Sequence, residues 1–271
     1  MAYVRTRLGR WFYEERGAPG KPGAPAIVLW PSLLCDGAMW WHQLGPLSAL
    51  GRVVVFDPPG HGKSDVPPPF SLEDNADALL DAFGELRIDR AVLVGLSWGG
   101  MLGMRMALQH PSRVAALALL DTSAEKDEPA RLVKYRLFIS VARRFGLPPA
   151  LVAQLGPAFF CDRTLRERPE LLERFARAAN GFPREGTARA SMAVEIRRTD
   201  ISARLRDIRV PTVVVCGRQD RATAPARSEL LAARIPGAQL AWIEDAGHLS
   251  ALEQPDAVNA VLVPFVAEQV A

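Results

Sequence analysis

The sequence predicts an α/β fold: a mostly parallel, eight-stranded sheet interrupted late in the chain by an inserted helical lid. Three observations point there. Short continuous apolar runs, of the kind buried on both faces of a parallel sheet, alternate with stretches of helical periodicity. One such run, Val92-Leu93-Val94, leads into Gly95-Leu96-Ser97-Trp98-Gly99-Gly100, a Gly-x-Ser-x-Gly turn followed by good helix formers. Between the runs ending at Leu120 and starting at Thr212, about ninety residues carry helical periodicity alone. At 271 residues the chain can bury a large core as one α/β domain with an insertion. The expected division is core over 1–123 and 208–271, and lid over 124–207.

Residues 3–15 alternate around Leu8-Gly9-Arg10 and predict an opening hairpin, followed by a Gly/Pro-rich linker over 17–25. Residues 26–30 and 52–56 read as buried strands separated by about one helix's length of chain. A helix is predicted over 72–86, with acidic residues near its start. Then come the strand at 91–94, a helix over 101–109 stopped by His110-Pro111, and a strand at 114–120. Within the insertion Leu132, Tyr135, Phe138, Ala142 and Phe145 recur at three- or four-residue steps, as do Leu171, Leu172, Phe175 and Ala179. Gly146, Pro148-Pro149, Gly156-Pro157, Pro169 and Gly181-Phe182-Pro183 break it into pieces. Strands at 212–216 and 240–243 complete the sheet, and 255–269 form a closing helix.

Composition narrows the function classes. Hydrophobic residues make up 49% of the chain and charged residues 23%, ordinary for a soluble globular enzyme. No apolar run approaches ~18 residues, and the start Met1-Ala2-Tyr3-Val4-Arg5 lacks a signal peptide's apolar segment, so a cytoplasmic location is expected. Cys35, Cys161 and Cys216 are too scattered for a disulfide framework or a zinc site, and Cys216 reads as a buried small hydrophobe. A net charge of +3 suggests neither nucleic acid nor membrane as partner. The lid nevertheless carries 17 Lys/Arg against 11 Asp/Glu. A set of solvated Arg-rich helices accounts for that; attraction of an acidic substrate or an anionic partner is the sharper reading.

The turn at Ser97 carries the chemistry. It is so sharp that the serine's neighbours must be nearly free of side chain, and the hydroxyl is then held up at the strand's end. A serine alcohol needs a base within hydrogen-bond reach, itself oriented by a third group. Of the four histidines, His248 in Asp245-Ala246-Gly247-His248-Leu249 follows the last strand, where loops at carboxyl ends gather a site. His42, His61 and His110 read as structural. The acid has two candidates. Asp220 lies past the strand ending in Cys216-Gly217 and gives the order Ser, Asp, His; Asp121 also ends a strand and could orient the histidine from the other side. Asp220 is favoured, since Asp121-Thr122-Ser123 is more simply a turn or helix cap. Developing negative charge on a carbonyl oxygen needs backbone donors. One is the N–H of Trp98; the other belongs to the loop Trp30-Pro31-Ser32-Leu33-Leu34, where Pro31 has no N–H and Leu33 is chosen. Trp98, Leu34, Phe159 and Phe160 are candidates to line a substrate pocket, although Phe159-Phe160 read equally well as lid core.

These pieces together resemble the α/β-hydrolase superfamily over essentially the whole chain: the Leu33 loop running to Met39-Trp40, the Asp57-to-Ser64 loop, the Ser97 turn, Gly217 with Asp220, and Gly247-His248. The tail from Ala246 to Ala257 looks closest to lidded enzymes related to 3-oxoadipate enol-lactonases, carboxylesterases and cofactor-free haloperoxidases. Two departures stand out: Pro31-Ser32 where many relatives carry His-Gly, and Pro59 where many carry arginine. The resemblance implies a serine hydrolase acting on a small to medium carboxylic ester or lactone through Ser97, His248 and Asp220, on the α/β-hydrolase sheet. A serine nucleophile sets the chain apart from the dehalogenases and epoxide hydrolases of this fold, which use aspartate. Carbon–carbon bond hydrolysis, acyl transfer and perhydrolysis use the same three residues, and a non-catalytic ligand receptor on the same fold is the alternative of another class. No metal and no cofactor are expected, and the expected partner is the small-molecule substrate, with self-association as a homo-oligomer left open.

Overall fold

The opening hairpin forms in the computed structural model, which describes residues 2–18, 20–21 and 23–271. The linker expected over 17–25 includes residues 19 and 22, and the amino-terminal reading includes residue 1; these three lie outside the described residues. Strands β1 (Ala2–Thr6) and β2 (Gly9–Arg16) pair antiparallel. The turn falls on Arg7-Leu8, slightly earlier than predicted. The Thr6 hydroxyl closes it, accepting from Leu8 N–H at 3.1 Å and donating to Gly9 O at 2.9 Å, while Gly9 adopts φ +105° and opens the second strand.

Strands β3 (Ala26–Trp30), β4 (Val53–Phe56), β5 (Ala91–Leu96), β6 (Val114–Leu120) and β7 (Thr212–Gly217) are buried at every position. That is why they read as unbroken apolar runs rather than alternating ones. Strand β8 (Gln239–Ile243) forms the far edge and is only partly covered. The order is β1-β2-β4-β3-β5-β6-β7-β8, antiparallel through β4 and parallel from β4 to β8.

Helix α1 (Trp41–Ser48) packs with the closing helix, and α2 (Leu72–Glu85) packs on α3 (Trp98–Gln109). The acidic residues at the start of α2 form a capping box: Asp74 N–H donates to the Ser71 hydroxyl at 3.0 Å, and Ser71 N–H returns to Asp74 Oδ2 at 2.8 Å. Helix α3 begins at Trp98, three residues before the predicted start, because Ser97 itself stands at the N-cap.

The insertion between β6 and β7 is helical, as expected. It comprises α4 (Pro129–Phe145), α5 (Pro149–Phe159), α6 (Asp162–Glu167), α7 (Pro169–Gly181) and α8 (Arg184–Ser191), then a π-turn over Met192–Ile196. Helices α9 (Pro225–Arg234), α10 (Ser250–Glu253) and α11 (Pro255–Val270) complete the core. The three cysteines are free and buried, and no helix among the described residues is long and apolar enough to cross a membrane.

The insertion meets the core backbone against backbone. A Cβ on Gly186 of α8 would lie 2.6 Å from Gly60 Cα, and one on Gly60 would lie 2.6 Å from the Gly186 carbonyl carbon. Gly186→Ala improves intrinsic helix propensity by about 1 kcal/mol. The close approach outweighs this, and the substitution is expected to cost about 1–3 kcal/mol overall by overpacking. Gly84→Ala in α2, where a Cβ meets open space, is expected to stabilise by about 0.5–1 kcal/mol. Urea unfolding midpoints check both; a Gly186→Ala protein as stable as wild type would show that this approach constrains nothing.

Candidate active site

Ser97 joins β5 to α3 in a strained conformation, φ +53° and ψ −105°. Such backbone costs on the order of 1–3 kcal/mol and persists only when its surroundings enforce it. Ser97 N–H donates to Leu120 O at 2.8 Å, and its carbonyl accepts the Thr122 hydroxyl at 2.6 Å, so the last residue of β6 and the segment just beyond it hold the turn on both sides. The flanking glycines are steric necessities. A Cβ on Gly95 would run into the backbone of Gly99, and one on Gly99 into the carbonyl of Trp30. Trp98 N–H, at the first position of α3, has no intrahelical partner and lies at the positive end of the helix dipole.

His248 and Asp220 come from the loops after β8 and β7. His248 Nδ1 lies 3.0 Å from Asp220 Oδ2. The remaining acceptor positions of Asp220 take Ala222 N–H at 2.8 Å, Thr223 N–H at 2.9 Å and the Thr223 hydroxyl at 2.7 Å. Burial pulls the imidazole's proton affinity down. The Asp220 charge and hydrogen bond outweigh that, with Asp121 and Glu195 adding, so the pKa of His248 is raised. The Phe159 ring stands edge-on to the imidazole at 5.4 Å. Of the two candidate acids, Asp220 is the one bonded to His248. Asp121 instead accepts from Gly217 N–H and from Ser250.

The loop after β3 has its own support. Leu34 adopts φ +63°, and its N–H donates to His61 Nε2 at 3.2 Å. A backbone donor on Nε2 places the ring proton on Nδ1, which faces Pro59 O at 3.3 Å. Burial pushes the His61 pKa down to about 4, so the ring is neutral and holds this role near pH 7.

Ser97, His248, Leu33, Leu34 and Phe159 open on one cavity of about 400 Å³ between core and insertion. Trp98 and Phe160 are not in its wall. The Trp98 indole is wholly buried, donating to Asn75 Oδ1 at 3.0 Å and standing edge-on to Trp30 and His61. Phe160 is equally buried, edge-on to Phe175. The wall also carries Tyr135, one of the periodic residues of the insertion, and charged groups that hydrophobic periodicity could not single out: Asp127, Arg131, Glu195 and Arg198. Arg198 donates to Asp127 Oδ2 at 2.6 Å and lies 3.6 Å from Glu195.

Sequence reasoning also passed over Thr223, Asn75 and Glu253. Glu253 is buried; its two oxygens accept Gly247 N–H at 2.7 Å and Cys161 N–H at 2.8 Å, tying the His248 loop to the insertion. Its only sequence signal is a carboxylate within a mostly apolar turn. Among the described residues one group has metal-ligand spacing, Asp121, Cys216 and Asp220. The carboxylates are already hydrogen-bonded, and burial pushes the Cys216 thiol up to about 12, so it keeps its proton.

A family model described as the α/β-hydrolase fold matches residues 25–255. The chain is 29% identical over 267 residues to 3-oxoadipate enol-lactonase 1 of Acinetobacter baylyi, covering 97% of this chain and 96% of that one. The crystal structure of the enol-lactonase from Burkholderia xenovorans LB400 superposes with a TM-score of 0.89 at 31% identity, over 98% of this chain and 99% of that one. A thermophilic esterase from Thermogutta terrifontis, solved with malate bound, gives a TM-score of 0.90 at 29% identity, with both chains fully covered. The chain belongs to the α/β-hydrolase fold family.

Proposed function

We propose that this protein is a serine hydrolase cleaving small to medium carboxylic esters or lactones through an acyl-enzyme. One observation carries the reading: the 3.0 Å bond from His248 to Asp220, on the same cavity as the strained Ser97. Ser97 Oγ attacks the carbonyl carbon while His248 Nε2 takes its proton. Asp220 fixes the imidazole tautomer and stabilises its charged form. The tetrahedral oxygen is held by Trp98 N–H and Leu33 N–H. Leu34 is not the donor in this scheme, because its N–H is occupied by His61. His248 then protonates the leaving alkoxide and activates water to release the acyl group. The steps use these side chains and water alone.

The activities named for the enol-lactonase and esterase relatives support the ester or lactone class. In this reading residues 124–207 act as the lid, and Leu33, Leu34 and Phe159 contact the substrate. An acyl acceptor other than water would show itself in product partitioning when alcohol, amine or peroxide is added.

A fluorophosphonate probe is expected to label the wild type and not Ser97→Ala, and p-nitrophenyl esters of rising chain length to be turned over up to the limit of the cavity. A folded wild type that neither labels nor turns over would replace the enzyme by a ligand receptor. Asp220→Asn is expected to lower kcat by about 10³–10⁴-fold. The base must be deprotonated, so kcat/KM should climb with pH through the raised pKa of His248, with half-maximum above the ordinary imidazole value of about 6.5. An acidic limb centred below that value would contradict the assigned environment. His61→Ala frees the Leu34 turn and is expected to cost about 10- to 100-fold in kcat, less than complete loss of an oxyanion donor, with KM little changed.

A further inference from the structure

We propose that Asp121 is a positioning residue of this site: its two carboxyl oxygens brace the Asp220 loop and the His248 loop against strand β6, and so set the register of the His248–Asp220 bond. The proposal rests on the hydrolase reading for its kinetic consequence but not for its geometry.

Asp121 follows β6 directly, fully buried and at φ +46°, a left-handed conformation uncommon for a residue with a side chain. Its N–H is fixed on Val215 O at 2.9 Å. Oδ1 accepts Gly217 N–H at 2.8 Å, where β7 ends and the Asp220 loop opens. Oδ2 accepts Ser250 N–H at 3.3 Å and a short bond from the Ser250 hydroxyl, two residues beyond His248. One carboxyl therefore grips both loops, one oxygen to each.

The two loops also touch one another. Gln219 N–H donates to Ala246 O at 2.9 Å, and a Cβ on Gly217 would collide with Gly247 O. Contact alone lets them slide together; a common anchor on a third strand stops the pair from sliding relative to Ser97. The same strand holds Ser97 N–H through Leu120 O, the residue before Asp121. Nucleophile, base and acid are thus all referenced to Leu120-Asp121-Thr122. A carboxyl here is otherwise unfavourable, since it is buried within 4.8 Å of Asp220. Burial and that neighbour raise its pKa, and three donated hydrogen bonds from Gly217 and Ser250 offset the burial.

Three variants test this: Asp121→Ala, Asp121→Asn and Ser250→Ala. They are read by kcat, KM and the downfield proton resonance of His248 Nδ1–H, which a merely stabilising residue would not move. Asp121→Ala is expected to lose about 10- to 100-fold in kcat, the scale of a small misplacement of reacting groups, with KM within about twofold and the resonance shifted or broadened. Asp121→Asn keeps an acceptor for Gly217 N–H and should recover most of that loss. Ser250→Ala removes one bond only, and should shift the resonance less and lower kcat several-fold. An unshifted resonance in folded Asp121→Ala, or in Ser250→Ala should the former not fold, overturns the proposal. So does a wild-type kcat in either variant. If the wild type fails to react with the fluorophosphonate, the hydrolase reading falls, yet the resonance still decides whether Asp121 positions His248.

Discussion

The geometry of this site depends on a backbone that would relax if left alone. Ser97 at φ +53° is held by Leu120 at the end of β6 and Thr122 just beyond it, and by two glycines that let α3 and β3 approach within contact. Relaxing the turn would tip the hydroxyl away from the cavity and rotate the free N–H of Trp98 out of line with it. The strain is affordable because β5 is central in the sheet, buried at every position, and paired on both edges. The core that surrounds it is therefore part of the chemistry.

Around this turn the protein uses buried carboxylates as loop clamps. Asp57 accepts Gly37 N–H and Lys63 N–H, joining the loops after β3 and β4; Glu253 joins Gly247 to Cys161; Asp220 closes its own loop on Ala222 and Thr223. Buried carboxylates are costly unless their lone pairs are filled, and backbone N–H groups fill them without adding a second desolvated charge. Because each clamp binds main chain, neighbouring side chains can vary while the loop path stays fixed. His61 plays the corresponding part with a neutral acceptor, holding Leu34 N–H.

Much of this was legible in the sequence, and the boundary has a physical cause. The strands were readable because burial on both faces demands unbroken apolar runs, and the turn at Ser97 because its sterics demand glycine at fixed offsets. His248 is the one histidine that follows the last strand, and Asp220 is one of two aspartates beyond strand ends that precede it. The choice between Asp220 and Asp121 needed coordinates, since both end parallel strands and both are buried; only the bond to His248 separates them. Trp98 illustrates the limit of adjacency. It follows Ser97 directly, yet its indole is buried in the core, donating to Asn75 Oδ1, and is absent from the cavity wall. Phe159 and Phe160 divide in the same way, one on the cavity and one behind it. Glu253 and Asn75 partner groups far away in sequence, and no local pattern announces them.

The basic surplus of the insertion follows from how arginine is used there. Arg168 donates to Glu253 O, Arg184 to Arg144 O, Arg189 to Pro67 O, Arg198 to Glu125 O and Val194 O, and Arg131 to Ala222 O. A carbonyl oxygen is a neutral partner: Arg168 and Arg184 bond carbonyls with no acid beside them, while Arg131, Arg189 and Arg198 also pair with Asp127 or Glu185. The planar fork of arginine lets one side chain hold a carbonyl and a carboxylate together, as Arg198 does with Val194 and Asp127. Three of these bonds cross from insertion to core, at Pro67 in the segment between β4 and α2, at Ala222 beside Asp220, and at Glu253 beyond His248. Positive charge therefore accumulates as a by-product of fastening helices to a core through its loop carbonyls. A long-range field is not needed to account for it. The fastening also explains why Arg131 and Arg198 reach the cavity wall already committed to protein partners. They are fixed polar elements of a wall that also includes the apolar Leu33, Leu34 and Phe159.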